Sequence, residues 1–229
     1  MKIIECIDVN LIKRGNTLLE HISFSINEGD IIGILGPSGA GKSSLFRALN
    51  MLHTITGGEI RFNDQNILDY KPEELRKQIS YVLQKPTLFG NDVLENLYYP
   101  YQILKLKPDM LEIKKYLEKV NLPEDILKRK PAELSGGEQQ RIALIRSLLL
   151  KPRILLLDEV TSALDDENSR IIENLILEER HSKNLTVMFI SHNDAQAKRL
   201  AKKILYLKKG KVEFFCTVDE FFEAGDRHE

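Results

Sequence analysis

Tryptophan is absent from this 229-residue chain, and cysteine occurs only at Cys6 and Cys216. Two isolated thiols, without a C-x-x-C pair or metal-ligand spacing, exclude a disulfide framework and a zinc site. They read as the reduced thiols of a cytosolic protein. Long apolar runs are missing too: the longest, such as Ile31–Leu35 and Ile154–Leu157, extend about five residues. A membrane-crossing helix needs roughly 20, so the chain is not expected to span a bilayer by itself. The opening Met1-Lys2-Ile3-Ile4-Glu5-Cys6-Ile7-Asp8 sets carboxylates where a secretory leader needs unbroken apolar residues, and no export signal is expected. Charge of one sign is not in excess either, since 33 Lys+Arg face 34 Asp+Glu for a net charge of -1. That excludes the bulk basic field of a nucleic-acid binder, and no nucleic-acid partner is expected.

What is present supports a real core. Hydrophobic residues make up 42% and charged residues 29%, which excludes a disordered or collagen-like chain. Residues 1–30 alternate apolar and polar, as in Ile22-Ser23-Phe24-Ser25-Ile26, and are broken at Gly15-Asn16 and Glu28-Gly29-Asp30. This pattern predicts antiparallel strands with one wet face. Ile31–Leu35 reads as a buried strand, followed by a Gly-rich turn and a helix over 43–49. Shorter strands are predicted at 59–62 and 79–83. From Pro86 to about Leu150 the spacing becomes helical, over 107–120 and 138–150. Apolar strands return at 154–157, 185–190 and 203–207, with a helix over 167–179 between the first two. Strands alternating with helices imply a largely parallel sheet covered on both faces. The expected fold is therefore α/β, one core of residues 1–85 and 152–229 interrupted by a helical insertion at 86–151.

Three stretches carry chemistry. Gly36-Pro37-Ser38-Gly39-Ala40-Gly41-Lys42-Ser43 fits G-x-x-x-x-G-K-[ST] and lies between a predicted strand and a predicted helix. Glycines let the backbone wrap a phosphate, and the helix N-terminus adds positive potential. Lys42 would reach the β/γ-phosphates, and the Ser43 hydroxyl is a candidate Mg²⁺ ligand. Ile154-Leu155-Leu156-Leu157-Asp158-Glu159 is a buried strand running into two acids. It would present Asp158 at the sheet's C-terminal edge to hold Mg²⁺, with Glu159 placed to polarise an attacking water. In Leu134-Ser135-Gly136-Gly137-Glu138-Gln139-Gln140-Arg141, Ser135 and Glu138 make a capping box that simply starts a helix. A second reading stands beside it. Two glycines in a first turn weaken the helix, which makes sense if another molecule's anion must approach the exposed amides.

These residues together resemble the ATPase subunit of ATP-binding cassette (ABC) transporters across essentially the whole chain. The resemblance implies a P-loop NTPase (RecA-like) core with an antiparallel β subdomain and an inserted α-helical subdomain. It implies ATP and Mg²⁺ as cofactors, with Ser44 joining the phosphate loop. It also brings in positions that spacing does not single out. Gln84 matches the family's Q-loop glutamine, which touches Mg²⁺ and the attacking water. Ser162-Ala163-Leu164-Asp165 matches its D-loop, which crosses to the other subunit, and Asp165 is counted among the nucleotide-binding residues. His192, in Ile190-Ser191-His192-Asn193, matches the switch histidine that contacts the γ-phosphate. The family usually sets an aromatic residue near the first strand to stack on adenine, and Asn10–Asn16 contains none. Lys13 or Arg14 through a cation–π contact, or an apolar neighbour, is left to cover the base.

The resemblance further implies two cassettes, most simply two identical chains, packed head to tail. Each ATP would lie between Lys42 and Ser43 of one and Ser135, Gly136 and Gly137 of the other. It implies a polytopic permease subunit and a cytoplasmic, peripheral location on the inner face of the membrane. The apolar and aromatic stretch from Pro86 to Tyr101 follows the Q-loop, where the family receives a helix of the membrane subunit, and is read as an exposed docking patch. The same stretch, with Leu122-Pro123 and Ile126-Leu127, looks most like bacterial ATPases assigned to iron export. The alternatives are an ATP-gated module that signals without moving cargo, and a soluble ABC ATPase.

Overall fold

The computed structural model describes residues 1–162 and 164–225. The chain opens with β1 (Lys2–Lys13), β2 (Asn16–Asn27), β3 (Ile31–Leu35) and α1 (Lys42–Leu49). It continues through β4 (Gly57–Phe62), β5 (Gln65–Asn66), α2 (Pro72–Gln78) and β6 (Ile79–Val82). Three helices follow, α3 (Val93–Leu104), α4 (Met110–Lys119) and α5 (Gly136–Leu148). The last part runs β7 (Ile154–Asp158), α6 (Asp166–Lys183), β8 (Thr186–Ile190), α7 (Asp194–Leu200), β9 (Lys203–Lys208), β10 (Lys211–Thr217) and α8 (Val218–Gly225).

The alternating strands build one sheet, ordered β2-β1-β4-β5, and the apolar strands build another, ordered β10-β9-β3-β8-β7-β6. In the second sheet β9, β3, β8, β7 and β6 are parallel, and β10 pairs antiparallel at the edge. Every residue of β3, β7 and β8 is buried, as a parallel sheet covered on both faces requires. Side chains alternate between two cores. Leu155, Leu157, Val187 and Phe189 pack with α3, α4, α5 and α6 through Leu97, Ile113, Ile145 and Ile172. Ile154, Leu156, Met188 and Ile190 pack with α1 and the antiparallel sheet through Phe46, Ile4 and Ile26.

Side-chain caps set several helix starts. Asp92 accepts from the Glu95 amide, Asp109 from those of Leu111 and Glu112, and Asn193 from that of Gln196. Asp109 therefore starts α4 at Met110, three residues inside the expected 107–120 stretch. The helix after Ser135 begins at Gly136, earlier than the expected 138, because the capping box sets its first turn. The docking-patch expectation is corrected in part. The stretch from Pro86 contains α3, whose Val93, Leu97 and Tyr101 are buried core, while Phe89 and Tyr99 remain exposed.

Candidate active site

Four loops meet because their strands are parallel and end level. Ile34 and Asp158 both pair with Ile190, and Leu157 pairs with both Phe189 and Val82. The residues that follow β3, β6, β7 and β8 therefore emerge along one edge, where ligands of open α/β sheets bind. They are Gly36, Gln84, Glu159 and His192, from four separate stretches of sequence.

The phosphate loop is shaped by close backbone approach. Gly36 and Gly41 have φ of 136° and 101°. A Cβ on Gly36 would meet the Leu207 carbonyl oxygen at 2.0 Å, and one on Gly41 the Leu18 carbonyl oxygen at 2.6 Å. Only glycine fits these positions. Gly41 precedes α1 and supplies no side-chain cap, so the first amides of α1 stay open to an anion. Lys42 Nζ donates to the carbonyls of Gly36 and Pro37 at 2.6 and 2.9 Å, bridging its own loop. Burial holds the Lys42 ammonium below its ordinary range, partly offset by Glu159 and Asp158. A desolvated ammonium beside open amides is a fitting partner for a phosphate.

Ser43 Oγ donates to Asp158 Oδ1 at 3.1 Å. A hydroxyl and a buried carboxylate side by side are a hard-oxygen pair that suits a Mg²⁺ ion. Beyond them Glu159, in the left-handed region at φ 50°, collects two further side chains. Its Oε2 accepts from Gln84 Nε2 at 2.6 Å, and its Oε1 lies 2.9 Å from His192 Nε2. The three expected catalytic side chains thus meet at Glu159, which touches both others. Gln84, Glu159 and His192 also line, with Ser38–Ser44 and Leu18, a cleft of about 440 Å³.

The loop after β7 is tied to α7 behind this cluster. Thr161 and Gln196 exchange hydrogen bonds, and Gln196 also donates to buried Glu173. Arg199 grips the same carboxylate through Nε and Nη2, at 3.1 and 2.9 Å.

The remaining expected residues lie outside the cleft. Ser135 accepts from the Glu138 amide while Glu138 accepts from that of Ser135, so the capping-box reading holds. That amide bond first, then the Ser135 hydroxyl and the Arg129 charge, keep the Glu138 carboxyl below its ordinary range against the opposing effect of burial. The glycines add something a cap does not need. A Cβ on Gly136 would meet open space, whereas one on Gly137 would touch Leu164 at 2.9 Å. Asp165 caps α6 by accepting from Asn168, which in turn accepts from Arg141 on α5. Of the D-loop tetrapeptide, Ala163 lies outside the described residues. Lys13 Nζ sits 2.7 Å from His53 Nε2, and Leu18 is the apolar side chain lining the cleft.

Two contributors escaped the sequence reading. Gln140 reaches from α5 to the Leu83 carbonyl at 3.3 Å, joining that helix to the residue just before Gln84. Tyr81, three residues before Gln84, donates its hydroxyl to Asp158 Oδ2 at 2.5 Å. Burial and Asp158 push that phenol well above its usual range, so it keeps its proton. The available signal was a hydroxyl at a half-buried position of a core strand.

The sequence profile described as "ABC transporter" matches residues 19–162. The chain is 41% identical to "Probable iron export ATP-binding protein FetA" of Escherichia coli K12, covering 82% of this chain and 83% of that one. It is 38% identical to "Phosphonates import ATP-binding protein PhnC" of Fusobacterium nucleatum, over 90% of each chain. The dimeric, post-hydrolysis structure of the ATP-binding cassette MJ0796 bound to ADP and Pi superposes with a TM-score of 0.85. It has 31% identity and covers 94% of this chain and 98% of that one. With its phosphate loop, its paired acids and the Ser135-Gly136-Gly137 helix start arranged as described, the chain belongs to the ABC transporter family, as an ATP-binding subunit that hydrolyses ATP.

Proposed function

We propose that this subunit is the motor of a membrane transporter and works as two identical cassettes packed head to tail, with a metal cation, iron, as the exported cargo. One observation carries the paired arrangement: Ser135, Gly136 and Gly137 are not among the residues lining their own chain's phosphate cleft, and Gly136 opens onto empty space. In this reading each ATP lies between residues 36–44 of one subunit and Ser135, Gly136 and Gly137 of the other, with Asp165 beside the junction. The dimeric form of the MJ0796 cassette supports it. The cargo assignment draws on the likeness to the iron export protein.

Hydrolysis is phosphoryl transfer to water, in which the protein chiefly positions groups and neutralises charge. The open amides of α1 and the Lys42 ammonium hold the triphosphate. Ser43, Asp158 and Gln84 would hold Mg²⁺, which supplies charge neutralisation at the phosphate oxygens when bound. Glu159 takes a proton from the attacking water as the water oxygen bonds to the γ-phosphorus and the bond to the ADP oxygen breaks. Gln84 orients that water, and His192 contacts the γ-phosphate. Gln84 and His192 both contact Glu159, which keeps the water-orienting amide, the base and the γ-phosphate contact in one cluster.

The permease is proposed to dock in a groove of about 420 Å³ between α2, β6, α3 and α5. Phe89 and Tyr99 stack edge-to-face in it at 5.0 Å, and Arg146 lies over the Phe89 ring at 5.3 Å. No carboxylate lines the groove among the described residues, whereas Arg76 and Arg146 do. Its surface thus suits an apolar segment carrying negative charge.

The test is recovery of tagged Glu159→Gln protein with Mg-ATP from detergent-solubilised membranes. A polytopic membrane protein at near-equal amount is expected, followed by ATP-dependent movement of ⁵⁵Fe in inverted vesicles containing the pair. Recovery of ribosomes or DNA-repair proteins instead would end the transporter reading. Vesicles that hydrolyse ATP without moving iron would end the cargo assignment alone.

A further inference from the structure

Asp158 is held by two different partners. Its Oδ1 faces Ser43 on the phosphate-loop side, at 3.1 Å, and its Oδ2 receives the Tyr81 hydroxyl at 2.5 Å. The carboxylate is 4% exposed, so water is a poor substitute for either contact. With both oxygens engaged, it cannot rotate about its terminal torsion without breaking one of them. A terminal torsion of this kind is otherwise broad.

Tyr81 is itself rigid. It lies in β6 paired with Leu156 of β7, two residues before Asp158. Its ring meets Phe46 of α1 edge-on at 5.9 Å. The same residue is among those lining the groove with Arg76, Phe89, Tyr99 and Arg146. One residue therefore borders the groove and bonds the carboxylate that Ser43 also contacts.

We propose that Tyr81 is a positioning residue, which keeps Asp158 turned with Oδ1 toward Ser43 and transmits occupancy of the groove to that carboxylate. The first half rests on the reading of Asp158 as a Mg²⁺ holder, and the second on the negatively charged permease segment proposed to dock in the groove. Partners that orient a metal-binding carboxylate typically change metal affinity 10–100-fold when removed. This contact differs from the Q-loop link, because it reaches Asp158 without passing through Gln84.

The experiment reads Mg²⁺ dependence without turnover. The isolated subunit is titrated with Mg²⁺ while binding of a fluorescent ATP analogue is followed, in wild type, Tyr81→Phe, Asp158→Asn and the double variant. Asp158→Asn is expected to raise the Mg²⁺ midpoint, and Tyr81→Phe to raise it roughly 10-fold. Binding of the analogue in EDTA should not change, and Tyr81→Phe should add nothing in the Asp158→Asn background. Tyr81→Gln keeps a donor and should restore most of the lost affinity, which a purely structural role would not predict. It also serves if Tyr81→Phe fails to fold. A wild-type midpoint in Tyr81→Phe, with Asp158→Asn shifted, overturns the positioning role. An unshifted Asp158→Asn instead overturns the metal reading of Asp158.

The groove half is tested by filling the groove. Tyr99→Cys in a Cys216→Ser background is labelled with a bulky maleimide, and the titration repeated with Tyr81 and with Tyr81→Phe. A midpoint shift that requires the tyrosine hydroxyl supports transmission. No shift, or the same shift in both proteins, overturns it.

Discussion

Replacing Glu159 by Gln tests the chemical core of the site. The two side chains have the same heavy-atom shape, so the exchange removes charge and basicity and little else. The new amide can still accept from Gln84 Nε2, now at 2.6 Å from Oε2, and can still face His192 Nε2, now at 2.9 Å from Oε1. Residue 159 keeps its left-handed backbone at φ 50° in both proteins, so that cost cancels. Stability should change by less than about 1 kcal/mol, equivalent to roughly 2–4 °C in Tm for a chain of this size. Turnover should respond very differently. A positioned general base contributes about 10²–10⁴-fold, which at about 1.4 kcal/mol per tenfold is roughly 3–5 kcal/mol of barrier. Nucleotide contacts lie on Lys42, Ser43 and the α1 amides, so KM for ATP should stay near its wild-type value. The assay is phosphate release from the assembled complex at saturating Mg-ATP, with retained ATP measured by filter binding. Near-normal kcat in Glu159→Gln would refute the argument. Loss of kcat together with loss of ATP binding would instead make Glu159 part of the binding site.

Other outcomes follow from the same geometry. Lys42→Ala removes the ammonium from the phosphate loop and should weaken ATP binding roughly 10–100-fold; calorimetry giving an unchanged Kd would sink that role. Ser135→Ala should cost about 1 kcal/mol by loss of the α5 cap, read from urea unfolding. The reciprocal contribution of Glu138 has a definite pH sign. Its folded pKa is depressed from an ordinary value near 4.5, so its stabilisation is complete above that value and disappears as pH falls through the folded one. Glu138→Gln should therefore narrow its stability gap to wild type on acidification below 4.5, and a gap that is constant with pH would contradict this. Phe89→Ala with Tyr99→Ala should leave ATP binding by the isolated subunit intact while abolishing recovery of the permease. Equal loss of both would show that these rings serve the fold and not docking.

Much of the core was legible because its causes are local. Alternation made β1 and β2, unbroken apolar runs made β3, β7 and β8, and the spacing of glycines around Lys42 marked the phosphate loop. Other elements were missed although their signals are local too. Helix α2 has Pro at its first turn, Glu73 and Glu74 beside it, and Arg76 and Lys77 at its end, all favourable positions. Helix α3 was hidden by Pro100, a residue that ordinarily interrupts a helix. Its buried Val93, Leu97 and Tyr101 also looked like surface for a partner when read as a run of apolar letters.

By itself the sequence determined the chemistry on hand: a loop that can only wrap an anion, two acids at the end of a buried strand, and a cap that starts α5. Tertiary structure alone decided which of these groups meet. The strand order β9-β3-β8-β7-β6 is set by long-range packing, since parallel strands have no hairpin to impose their neighbours. That order brings Gln84, Glu159 and His192 into contact across 75 and 33 residues of chain. It also sets Tyr81 against Asp158, 77 residues away, and leaves Gly136 opening outward. A pattern along the chain records which side chains seek burial, but not which strand lies beside which, and the contacts at the site depend on the second.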